Sequence, residues 1–201
     1  MKRKLIQIGL LAIALAGCNP FYSVEQSGVE RGYRWIHRGE MDKGIATFAT
    51  TIQRYPQSVL AHLGLADALF EKRKDREAVD SYTRAMSLLE KEKPESEGGA
   101  SGENEVIGKR FFSYQNQGLQ FPYGIKAYMH LRRGGAFEGL ATCESRLNCE
   151  YFTKAIADYD KAIELAPNYE EAIKQRNRLL QRSMTEKCAA RGSGLHFSYF
   201  E

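Results

Sequence analysis

One arrangement of small and large residues recurs three times along this chain. It reads Gly44-Ile45 with Phe48 and Thr51, Ala78-Val79 with Tyr82 and Ala85, and Ala155-Ile156 with Tyr159 and Ala162. Gly44 and Ala78 stand 34 residues apart. A second arrangement precedes each copy: Arg31-Gly32 with Trp35, Leu65-Ala66 with Leu69, and Arg133-Gly134 with Phe137. Positions three and four apart share one face of a helix, so each arrangement predicts a helix, with its small residue where a neighbour crosses. Pro56 and Pro167 close the second helix of the first and last pairs. A chain patterned this way stacks helix pairs.

Two helices per 34 residues, with small residues at the crossings, resemble the tetratricopeptide repeat (TPR). The resemblance implies an all-α fold, a short TPR-like helical solenoid of three helix pairs plus a capping helix, with an inserted flexible segment. It implies a binding surface without chemistry of its own, so the chain is not expected to be an enzyme. Repeats one and two fill residues 25–92 without a gap. The turn Lys72-Arg73-Lys74-Asp75 lacks the glycine that repeat one has at Gly39 and is expected to be looser or helically extended. Residues 93–124 interrupt the array. Their first part is rich in Pro, Gly, Ser and Glu and reads as a flexible loop. Their second carries Phe111, Phe112, Tyr114, Phe121 and Tyr123. It is expected to pack on the solenoid, the alternative being a partner-binding or homodimerising patch.

Repeat three, 125–168, is split. Gly32 to Gly44 and Ala66 to Ala78 are both 12 positions, whereas Gly134 to Ala155 is 21. The stretch 142–150 has the length of the difference and is expected to be an inserted loop. Residues 169–188 read as the capping helix, with Ala172, Ile173, Leu179 and Leu180 on its apolar side. Residues 189–201 form a tail. Its Phe197, Tyr199 and Phe200 either fray with it or fold back onto the groove or the tether.

The N-terminus sets the compartment. Lys2-Arg3-Lys4 precede twelve largely apolar residues, Leu5 to Ala16, and then Leu15-Ala16-Gly17-Cys18. Twelve are too few to span a bilayer, which needs about 20, so 1–17 reads as a signal peptide. Leu-Ala-Gly-Cys resembles the bacterial lipobox, which implies cleavage before Cys18 and lipid attachment to its thiol, with palmitate among the acyl chains. Residues 18–24 then form a lipidated tether. Asn19 is not the aspartate associated with inner-membrane retention, so the resemblance implies the periplasmic face of the outer membrane. The inner membrane and the cell surface are the alternatives. The leader also explains the charge. Of 29 basic side chains against 25 acidic, three basic ones lie in residues 1–17. The near-neutral remainder offers no basic patch for nucleic acid.

Cys143 and Cys149 bracket the 142–150 stretch, and the periplasm favours disulfides. A bridge between them would contribute roughly 2 kcal/mol on the entropic view of loop closure. Pairing of either with Cys188, and a reduced pair, remain open. No metal or cofactor is expected: the cysteine spacing suits neither a zinc knuckle nor a Cys-X-X-Cys redox site, and no phosphate loop or nucleophile elbow occurs. His62 and His130 take packing positions of first helices, and Asp158 and Asp160 read as helix exterior.

The resemblance places a concave groove on the first helices. Its positions here are Val29, Tyr33, Ile36 and His37, then Leu63, Asp67, Phe70 and Glu71, then Leu131, Gly135 and Glu138. Tyr33, His37, Asp67, Phe70 and Glu71 are the candidates for partner binding. TPR cochaperones that grip a C-terminal carboxylate use Lys and Asn there, and this chain does not. The expectation is a membrane-anchored scaffold for protein or peptide partners in the periplasm. It would serve envelope assembly: pilus or secretion machinery, barrel assembly, or recruitment of peptidoglycan enzymes. The alternatives are a redox or enzyme accessory protein using 106–150, and a self-assembling structural lipoprotein that forms homo-oligomers.

Overall fold

The computed structural model describes residues 24–91, 121, 123–143 and 149–185. The leader and Cys18, the first part of the insert with Phe111, Phe112 and Tyr114, and Cys188 with the tail lie outside the described residues. Seven helices occur within them: α1 Val24–His37, α2 Met41–Arg54, α3 Val59–Glu71, α4 Asp75–Lys91, α5 Ile125–Cys143, α6 Cys149–Leu165 and α7 Glu170–Thr185. None of these is long and apolar enough to cross a membrane.

Each helix packs on the one before it, α5 taking its place on α4, and the first helices also meet one another, α1 on α3 and α3 on α5. That double adjacency stacks the pairs into a solenoid. The fold is all-α and TPR-like, with α7 capping α6.

The packing follows from one large residue per second helix. Phe48 on α2 is fully buried, and its ring edge presses on Gly32 of α1 and Gly64 of α3. A Cβ at Gly32 would lie 2.5 Å from Phe48 Cε1, and at Gly64 closer still. Tyr82 of α4 and Tyr159 of α6 stand at the same offset from Ala78 and Ala155, and both are buried. Small residues recur at the crossings because a ring from the neighbouring helix fills the space their side chains would take.

The inter-helix turns repeat as well. In repeat one, Gly39 N–H donates to Ile36 C=O and Glu40 N–H to Trp35 C=O, at 2.8 and 2.9 Å. In repeat two, Arg73 N–H donates to Phe70 C=O and Lys74 N–H to Leu69 C=O, both at 2.9 Å. Gly39 has φ +77° and Arg73 φ +59°. The second turn is therefore not looser. Arg73 adopts the left-handed conformation that glycine takes most easily, because the same two bonds satisfy the last carbonyls of α3.

The split in repeat three is also tighter than expected. α5 continues through Cys143 and α6 starts at Cys149, so 142–143 and 149–150 are helical. The Cys143 side chain lies outside the described residues. Asp158 departs from its expected place on a helix exterior: it is 4% exposed. Arg133 donates to both of its oxygens at 2.8 Å, and His130 Nδ1 lies 2.8 Å from Oδ1. Burial disfavours its charge, and the bonds from Arg133 and His130 outweigh burial, leaving its carboxyl below the usual range. Asp160, half-buried, is paired with Arg176 of α7.

Candidate functional site

The inner wall of the solenoid is built by α1, α3 and α5, and a buried polar cluster ties them together. Asp67 of α3, 6% exposed, accepts the hydroxyls of Tyr82 at 2.5 Å, Tyr128 at 3.1 Å and Tyr33 at 3.4 Å. Arg132 Nε lies 3.6 Å from the same carboxylate. Four helices, α1, α3, α4 and α5, thus converge on one side chain. Burial raises the Asp67 pKa, opposed by Arg132 and by the three hydroxyl donors. Burial also pushes Tyr33, Tyr82 and Tyr128 well above the usual phenol range, so all three keep their protons and donate.

Beside this cluster the groove opens into a cavity of about 500 Å³ between α3, α5 and α7. Its floor is Leu131, Gly135 and Gly139 of α5 with Tyr159 of α6 behind, and Phe70 closes one side. Arg132 lies over the Phe70 ring at 4.3 Å and donates to Glu71 at 2.6 Å. On the opposite side Arg178 of α7 donates to both oxygens of Glu138, at 2.9 and 2.7 Å. Tyr159 OH, 3.2 Å from Glu138, donates to the same carboxylate. The walls are therefore held by charge-assisted bonds between helices before any ligand arrives.

Asp75 sits behind the cavity edge. It opens α4 at the offset where the other repeats carry Met41 and Phe152, so a carboxylate replaces a hydrophobe. Only 3% of it is exposed, and neither oxygen has a hydrogen-bond partner among the described residues. Arg73 Nη2 lies 3.6 Å away. Gly139 faces it, and a Cβ there would overlap the carboxylate. Burial raises the Asp75 pKa and Arg73 lowers it, the net being upward.

The five candidate binding residues divide. Tyr33 and Asp67 are buried in the polar cluster, and Val29 and Leu63 are buried in the hydrophobic core; none of the four offers a docking surface. Phe70 lines the cavity, and Glu71 is exposed beside it, holding Arg132. His37 is exposed at the end of α1 and does not line the cavity. Leu131, Gly135 and Glu138, the groove positions of repeat three, all line it. Of the aromatic insert, Phe121 packs edge-on against Tyr128 at 4.8 Å and Tyr123 stacks on Tyr169 at 4.3 Å.

Sequence reasoning missed Arg73, Arg132 and the α7 wall. That wall was readable in outline, since Glu171, Gln175, Arg178 and Arg182 fall on one helical face. Only its apolar side, with Ala172 and Leu179, drew notice.

No family model and no curated relative matches the sequence. Solved structures do resemble it. The first TPR domain of human RPAP3, determined by NMR, has a TM-score of 0.55 at 18% identity, over 81% of this chain and 94% of that one. The first TPR of Spaghetti (RPAP3), bound to the HSP90 peptide SRMEEVD, has the same score and identity, over 80% and 93%. A mutant of MamA has 0.50 at 13% identity, over 90% and 80%. At these identities the likeness establishes the fold, an all-α TPR-like solenoid.

Proposed function

We propose that this chain is a non-enzymatic docking scaffold. It holds a segment of a protein partner in the groove over α5 while a lipid on Cys18 keeps it at the periplasmic face of the outer membrane. The observation that carries the docking reading is the preformed cavity, floored by two glycines and walled by Phe70, Arg132 and Arg178. A TPR domain of the same fold, the first TPR of Spaghetti (RPAP3), is bound to an HSP90 peptide, which supports the reading. The anchoring rests on Lys2-Arg3-Lys4, the apolar run and Leu15-Ala16-Gly17-Cys18. The process served is envelope assembly, with pilus or secretion machinery as one case.

In repeat three we propose that Cys149 is bridged to Cys143, stapling the ends of α5 and α6 that support the cavity floor. Two measurements test the proposal. Growth with labelled palmitate should label the native chain and leave Cys18→Ser unlabelled; a labelled Cys18→Ser chain would remove the anchor. Mass spectrometry after alkylation without reductant should recover Cys143 and Cys149 as one linked peptide, and a Cys149–Cys188 peptide would reassign the bridge.

A further inference from the structure

The cavity is a gap in the repeat. Gly135 stands where repeats one and two have Tyr33 and Asp67, and Gly139 where they have His37 and Glu71. Both glycines line the space. At about 500 Å³ it has room for an aromatic side chain lying on the glycine backbone against Phe70. Four arginines line it against two glutamates, and this surplus of positive charge favours a carboxylate next to the buried ring. The chemistry that fits is an aromatic–acidic peptide.

This chain carries such a segment. α7 is itself a cavity wall, and the chain continues beyond Thr185 to Leu195-His196-Phe197-Ser198-Tyr199-Phe200-Glu201. The twelve residues from Thr185 to Phe197 can span up to about 40 Å. The lining stretch of α7, from Glu171 to Arg182, is only about 17 Å long. Gly192-Ser193-Gly194 supplies the residues that most easily reverse a chain. The tail can therefore turn back along the wall from which it leaves.

We propose that residues 195–201 occupy the cavity in cis, an aromatic ring over Gly135 and Glu201 at the arginine rim, and that a protein partner binds by displacing them. The proposal rests on the docking reading above. Because the tail is tethered, its effective concentration at the cavity is on the order of millimolar. A partner must compete with that.

The test uses a fluorescein-labelled peptide of sequence Leu-His-Phe-Ser-Tyr-Phe-Glu and the full chain in mild detergent, read by fluorescence anisotropy. The Phe197→Ala/Tyr199→Ala/Phe200→Ala chain should bind the peptide about tenfold or more tightly than the native chain, whose cavity is filled. Adding Gly135→Leu to the triple variant should abolish that binding. Arg182→Glu in the same background should weaken it and serves should Gly135→Leu misfold. Equal binding by native and triple-variant chains, or binding by neither, overturns the proposal. Partner crosslinking at the groove, if retained in that case, would leave the docking reading standing while the tail is removed as its occupant.

Discussion

At the scale of single residues, Asp67 and Asp75 are two buried carboxylates with opposite consequences. Asp67 accepts three hydroxyls and faces Arg132. Asp67→Ala leaves those donors buried and should destabilise the chain by about 3–5 kcal/mol, read by urea denaturation. Tyr82→Phe removes one donor and should cost about 1 kcal/mol. Among the described residues Asp75 has only Arg73, at 3.6 Å, and no hydrogen bond. Asp75→Leu restores the hydrophobe that Met41 and Phe152 supply elsewhere and should stabilise by about 1–2 kcal/mol at pH 7. Its pH dependence is diagnostic. Burial holds the Asp75 pKa above its ordinary value, so as pH falls the folded chain takes up this proton before the unfolded chain does. The burden it places on the fold is then full at neutral pH and is relieved as pH falls through the folded value toward the ordinary carboxylate range. The advantage of Asp75→Leu should shrink over that same window. An advantage independent of pH would mean that Asp75 is not charged in the native chain.

Elements were the most legible level, because helix spacing and ring-against-glycine crossings leave a mark in the sequence. Gly32, Phe48 and Gly64 show why: ring and glycines must coincide in space, so their offsets repeat. Gly32→Ala places a methyl against the Phe48 ring and should cost about 1–3 kcal/mol in thermal or urea unfolding. The turn at Arg73 was not legible. Its conformation is set by carbonyls at the end of α3 that need partners, a demand strong enough to hold a non-glycine residue at φ +59°. Nor was the growth of α5 and α6 into 142–143 and 149–150. Residues added between antiparallel helices satisfy their backbone groups by lengthening both helices, whereas a loop would need partners from elsewhere. Asp158 escaped for a related reason. Its burial depends on Arg133 and His130 of α5, which lie 25 and 28 positions away in the chain.

At the scale of the whole molecule, the groove of repeats one and two is largely closed by its own side chains. Tyr33, Leu63 and Asp67 face inward. Space opens over repeat three, where Gly135 and Gly139 leave the floor bare and α7 adds a charged wall. Only part of this was visible in the sequence. Gly135 and Glu138 followed from repeat register, but a polar stripe such as 171, 175, 178 and 182 looks the same whether it faces solvent or a groove. The fold supplies a rigid surface, and the repeat that departs furthest from the pattern supplies the opening. The claim that partners dock in this opening is tested most directly by photo-crosslinking from a benzophenone amino acid at Glu71, in living cells, with Gly135 or Leu at position 135. A discrete adduct in the native background that disappears with Gly135→Leu, while the urea midpoint holds, is the predicted result. An adduct pattern unchanged by Gly135→Leu would contradict it.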